Sequence, residues 1–76
     1  MIFMLFNERL KECRKTKNIT QSGVARALGI ELRSYVRYEE GNRRPSLEML
    51  YKIADFFDVS TDYLLGRDND NKKWVD

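Results

Sequence analysis

The stretch Ile19-Thr20-Gln21-Ser22-Gly23-Val24-Ala25-Arg26-Ala27-Leu28-Gly29-Ile30-Glu31-Leu32-Arg33-Ser34-Tyr35-Val36-Arg37-Tyr38-Glu39-Glu40-Gly41 decides how this chain folds. Thr20 is a good N-cap residue, and Val24, Ala25 and Leu28 after it share one face of a short helix that Gly29 ends. A second helix must start almost at once, because Leu32, Tyr35, Val36 and Tyr38 recur at helical spacing until Gly41 and Asn42 stop them. Ala25 is small enough for two steeply crossing helices to approach, and Gly29 supplies the positive φ of a tight turn. Val24, Leu28, Ile30, Tyr35 and Tyr38 then fill the wedge between them.

On the N-terminal side, Phe6, Leu10 and Cys13 recur at spacings of four and three. They predict an amphipathic helix from about Asn7 to Lys17, with Asn7 or a neighbour as its cap and Asn18 closing it in the left-handed conformation. On the C-terminal side, Pro45-Ser46 starts a helix whose Leu47, Leu50, Ile53, Ala54 and Phe57 trace an apolar stripe. Ser60 caps a last short helix through Asp62, Leu64 and Leu65, closed by Gly66. Nothing reads as a strand. The expected architecture is all-α, a compact five-helix domain over residues 7–66 containing a helix-turn-helix. An apolar arm, residues 1–6, precedes it and a polar tail, residues 67–76, follows. Its expected core is Leu10, Val24, Ala25, Leu28, Ile30, Tyr35, Leu47, Leu50, Ile53 and Leu65.

Bulk properties narrow the function. Seventy-six residues hold one domain with a small core. The single cysteine, Cys13, allows no internal disulfide and falls on the apolar face of the first helix, as a structural thiol rather than a nucleophile. With no histidine and no glycine-rich phosphate loop, the chain does not read as an enzyme, and no cofactor or metal is expected. The run Met1-Ile-Phe-Met-Leu-Phe6 lacks a basic flank and a cleavage site and is too short to span a bilayer, so a cytoplasmic address without membrane attachment is expected. Charge is unevenly spread: residues 1–44 carry ten Lys/Arg against five Asp/Glu, whereas residues 45–66 carry one against four. The first half is the half that could meet phosphate.

The string Ile19-Thr-Gln21 … Ala25 … Leu28-Gly-Ile30 … Tyr35 … Arg37-Tyr-Glu-Glu-Gly41 … Arg44-Pro-Ser-Leu47 … Leu64-Leu65 resembles the Cro/C1-type (XRE) helix-turn-helix family over about residues 7–66. The resemblance implies a λ-repressor-like five-helix fold and repressor-like binding to double-stranded operator DNA, usually as a homodimer. It further implies that Gln21, at the start of the second helix, contacts a phosphate, and that Arg43 and Arg44 grip the backbone from the loop. Arg14 and Glu39 match an ion pair that ties the first helix to the third, a structural role.

With Tyr35 and Tyr38 needed inside, the third helix, about Leu32 to Glu39, turns Glu31, Leu32, Arg33, Val36 and Arg37 toward the major groove. Arginine can pair with both acceptors of guanine, and leucine or valine can cover a thymine methyl. Glu31 departs from the Ser, Thr or Asn usual in the family, and its charge suits only a donor such as a cytosine amino group. Gly23 departs too, at a cost on the order of 1 kcal/mol relative to alanine; only close approach to DNA suggests itself as a reason. The competing use of the same fold is a protein-binding adaptor or antitoxin-like module, for which Glu31, Leu32 and Val36 would suit an interface. Final-helix Tyr63, the arm and Trp74 are candidate dimer surfaces. No small-molecule effector or sensor segment is evident.

Overall fold

Side-chain caps and left-handed residues divide the chain into its helices. Thr20, Ser46 and Ser60 all have extended backbones, and their hydroxyls accept the N–H groups of Gly23, Met49 and Tyr63 respectively. Each satisfies one of the donors that a helix start leaves without an intrahelical partner. The computed structural model describes residues 2–67, with side chains from residue 5 onward. Five helices follow in order: α1 (Ile2–Thr16), α2 (Gln21–Leu28), α3 (Leu32–Glu40), α4 (Leu47–Phe57) and α5 (Thr61–Leu64). No strand occurs among the described residues, and no described helix is long and apolar enough to cross a membrane.

Gly29, at φ 74°, ends α2, and its N–H together with that of Ile30 returns to the last carbonyls of the helix. That closure leaves only a two-residue link before Glu31, the N-cap of α3. Glu31 caps poorly, with no side-chain hydrogen bond to the helix start. Asn18 at φ 60° closes α1 in the left-handed conformation, and Asp58 at φ 58° does the same for α4 without having been anticipated there.

The core gathers Phe6, Leu10, Val24, Ala25, Leu28, Tyr35, Tyr38, Leu50, Ile53, Ala54, Phe57 and Leu64 from every helix. α2 packs chiefly on α3, α1 lies across α3 and α5, and α4 braces α2 and α5. Ile30 and Leu65 are half-buried at its edge. Cys13 is also half-buried, and burial first, with the nearby Glu12 carboxylate second, pushes its thiol pKa up, consistent with a packing role.

Three expectations need correction. The first helix begins at Ile2, not Asn7, so Ile2–Phe6 is its opening stretch rather than an arm. Phe6 is fully sunk in the core, and Asn7 is an interior helical residue, not a cap. Hydrophobic residues ahead of Phe6 carried no break in the pattern; the sequence offered a plausible cap at Asn7, and tertiary packing overrode it. Leu47, expected inside, is 77% exposed, because as the first residue of α4 it lies a turn away from the stripe that meets α2. The buried leucine of α5 is Leu64, not Leu65, since a four-residue helix presents too little pattern to fix its rotation.

Gly23 also finds an explanation within the chain. A Cβ built there would stand 2.8 Å from Ile19 Cγ2 and 3.2 Å from Thr20 Oγ1. Ile19 packs against the core and its γ-methyl sits on a β-branched stem, so it cannot swing away. Glycine at this position lets Ile19 fold back over the first turn of α2 without any DNA being involved.

Candidate nucleic-acid interface

α3 has a buried and an open side. Tyr35, Tyr38 and Glu39 are buried, whereas Leu32, Arg33 and Arg37 are exposed and Val36 is half-buried. Arg33 and Arg37, four residues apart, leave the helix on the same side. Leu32 is 45% exposed, which makes it one of three large apolar side chains in the described body that face solvent. Glu31 adds a carboxylate at the helix start. The open side thus offers two guanidinium groups, an apolar contact and one acceptor, the functional groups needed to distinguish base edges in a major groove.

The buried side of α3 is fixed by a polar network centred on Glu39, only 2% exposed. Arg14 Nε donates to Glu39 Oε2 at 2.6 Å and Arg14 Nη2 to Oε1 at 3.3 Å, which joins α1 to α3. Gln21 Nε2 donates to Oε1 at 3.1 Å, joining α2, and the Tyr35 hydroxyl donates to Oε2 from one turn earlier on α3. Arg14 Nη1 also reaches the Ile19 carbonyl at 3.1 Å, in the link between α1 and α2. Asn7 Nδ2 donates to the Glu39 carbonyl at 3.1 Å, so α1 holds that residue by backbone and side chain alike. Burial alone would push the Glu39 carboxyl up; hydrogen bonds from Arg14, Tyr35 and Gln21 outweigh it and hold its pKa below the ordinary value. The same contacts, led by the hydrogen bond to Glu39, raise the Arg14 pKa. Burial, reinforced by the bond to Glu39, raises that of Tyr35.

Such a network fixes orientation more than it adds stability, because desolvation of the charges offsets much of their attraction. Its consequence is geometric: α1, α2 and α3 are tied at one carboxylate, so the open side of α3 has a defined attitude relative to the start of α2. The family resemblance pairs Arg14 with Glu39 but does not indicate Gln21 and Tyr35, which are further donors to the same carboxylate. The four-residue spacing of Tyr35 and Glu39 was a visible signal; the Gln21 contact, between two helices, had none.

Arg43 and Arg44 are exposed in the segment between α3 and α4. Asn42 shapes its beginning, with its N–H on the Arg37 carbonyl at 2.9 Å and its side-chain amide on Glu40 at 3.1 Å. Between α1 and α5 Arg9 lies over the Tyr63 ring at 4.4 Å and donates to the Tyr63 carbonyl at 2.7 Å, so Tyr63 is already engaged within the chain. Trp74 lies outside the described residues. No group of His, Cys, Asp and Glu among the described residues could hold a metal.

A family model described as helix-turn-helix matches residues 10–64, which takes in the C-terminal part of α1 and all of α2 to α5. The chain belongs to the Cro/C1-type helix-turn-helix family. Among the proteins to which it is similar are three transcriptional regulators. The uncharacterized HTH-type regulator YqaE of Bacillus subtilis is 43% identical over 72 residues, 95% of this chain and 62% of the relative. The HTH-type regulator AnsR of the same organism is 51% identical over 61 residues, 80% of this chain and 53% of the relative. The cryptic phage CTXphi transcriptional repressor RstR of Vibrio cholerae is 47% identical over 64 residues, 84% of this chain and 57% of the relative. The chain therefore spans between about half and three-fifths of the length of these helix-turn-helix relatives.

Proposed function

We propose that this helix-turn-helix chain is a cytoplasmic transcriptional regulator, a repressor, that binds double-stranded DNA by seating α3 in the major groove. The observation that carries the reading is the two-sidedness of α3: Tyr35, Tyr38 and Glu39 are sunk in the body while Leu32, Arg33 and Arg37 are offered outward. Arg33 and Arg37 read guanine, Leu32 and Val36 meet thymine methyl groups, and Glu31 accepts from a cytosine amino group. Gln21 at the start of α2 and Arg43 and Arg44 after α3 hold phosphates, whose contacts position the helix but carry no base information. The excess of basic residues in the first 44 positions favours the same side of the chain for DNA.

One such helix spans only a few base pairs, so a homodimer on a palindromic operator, with half-sites about 34 Å apart, is the arrangement that supplies specificity. Resemblance to a named phage repressor supports repression as the outcome. Two measurements test the reading together. Affinity for a random duplex should fall steeply as salt rises, and selection from a random DNA pool should enrich a two-fold symmetric sequence. No binding at low salt would leave the fold with a protein-binding role instead.

A further inference from the structure

We propose that Glu39, itself out of reach of DNA, is the positioning residue that aims the Gln21 carboxamide at a phosphate. This rests on the DNA-binding reading above and concerns how that one contact is made.

A glutamine side chain at the start of a helix can rotate, and its amide can present either oxygen or nitrogen to a ligand. A phosphate accepts hydrogen bonds and donates none, so half of those orientations are useless to it. Here the choice is made internally. Gln21 Nε2 lies 3.1 Å from Glu39 Oε1, and an ionised carboxylate only accepts, so the nitrogen must be the atom that faces it. One N–H is spent on Glu39, and the planar amide then projects its second N–H in a fixed direction. Gln21 is the first residue of α2, where the backbone N–H groups also lack an intrahelical acceptor, so side chain and main chain leave the same helix end as donors.

A carboxylate next to a phosphate site would ordinarily repel the ligand. Arg14, 2.6 Å from Glu39 Oε2, neutralises it, and the Tyr35 hydroxyl occupies the same oxygen. The hydrogen bonds of Arg14, Tyr35 and Gln21 together keep the acid ionised, so it does not become a donor that would let the amide turn over. Glu39 is thereby a fixed acceptor without a net local charge.

The test uses the full chain and a selected duplex. Glu39→Gln, which can donate as well as accept, should weaken binding to all duplexes alike by about 3- to 10-fold. It should leave base preference intact and abolish interference by ethylation at the same single phosphate that Gln21→Ala abolishes. In the Gln21→Ala background Glu39→Gln should cost clearly less than it does in the unaltered chain. An equal loss in both backgrounds would overturn the proposal, because Glu39 would then act only through the fold. Should Glu39→Gln fail to fold, nuclear magnetic resonance of the unaltered chain decides. One Gln21 side-chain proton should be protected from exchange before DNA is added, and the other should shift when the duplex binds. Two freely exchanging protons, or a bound duplex that moves neither, would overturn it. No duplex binding at any salt would overturn the DNA reading and this proposal with it, whereas binding without coupling removes this proposal alone.

Discussion

Gly66 lies so close to Leu5 that a Cβ on the glycine would stand 2.2 Å from Leu5 Cδ2, and its φ of 77° is in the left-handed region as well. The end of α5 is thus moulded onto the first turns of α1. This contact is why the chain before Asn7 belongs to the body: Leu5 and Phe6 have a surface to cover, and a helix is the way they cover it. Gly66→Ala should destabilise the chain by about 1–3 kcal/mol, from backbone strain and overpacking together. In a domain of this size each kcal/mol lowers Tm by about 4–8 °C, so a thermal melt followed by circular dichroism checks it. An unchanged Tm would mean that α1 does not dock through Leu5.

Two leucines of α4, three residues apart, should behave oppositely. Leu50 is 9% exposed within the core and Leu47 is 77% exposed at the helix start. Leu50→Ala is expected to cost about 2–5 kcal/mol, and Leu47→Ala to stay within about 0.5 kcal/mol. Urea denaturation of both variants gives the comparison, and similar losses would contradict the placement of α4.

Gly23→Ala would raise helix propensity by about 1 kcal/mol in an open position. Because the added methyl meets Ile19 Cγ2 at 2.8 Å, the substitution is instead expected to lower stability. In an Ile19→Ala background, where that methyl group is gone, the same substitution should stabilise. A double-mutant cycle of unfolding free energies measures the coupling, and additive effects would show that Ile19 is not the obstacle.

The Glu39 carboxyl sets a pH dependence. Its pKa is lowered in the folded chain, so it contributes stability that is complete above the unfolded glutamate value of about 4.3. That contribution is lost as pH falls through the lower folded value. Unfolding free energy should therefore decline as the pH falls below about 5, and decline less in a Glu39→Gln variant. A carboxyl titration of Glu39 by nuclear magnetic resonance should show a midpoint below that of glutamate in a short peptide; a midpoint above it would mean that burial outweighs the three donors.

Base reading and backbone gripping should separate by mutation. Arg33→Ala is expected to relax preference at one position in each half-site, at about 1–3 kcal/mol there. Arg44→Ala should weaken all sequences alike and reduce the salt slope by about one. Arg33→Ala that leaves preference intact, or Arg44→Ala that changes it at a single base pair, would reverse the assignment.

The five-helix order, the caps at Thr20, Ser46 and Ser60, the turn at Gly29 and the burial of Tyr35 and Tyr38 are legible in the amino-acid sequence. Each of these is set by residues within one or two helical turns, through capping oxygens, a positive φ or the 3.6-residue period. Where α1 begins, which leucine at α5 is buried, why residue 23 is glycine and that Gln21 meets Glu39 are visible only in the folded chain. In three of these the deciding partner is distant along the chain: α1 extends ahead of Asn7 where Leu5 packs on Gly66, just beyond α5, and Gln21 is oriented by a carboxylate on the next helix. The fourth, Ile19 beside Gly23, is near in sequence, yet it shows only once the first turn of α2 has folded, because steric contact depends on where atoms lie rather than on their order along the chain.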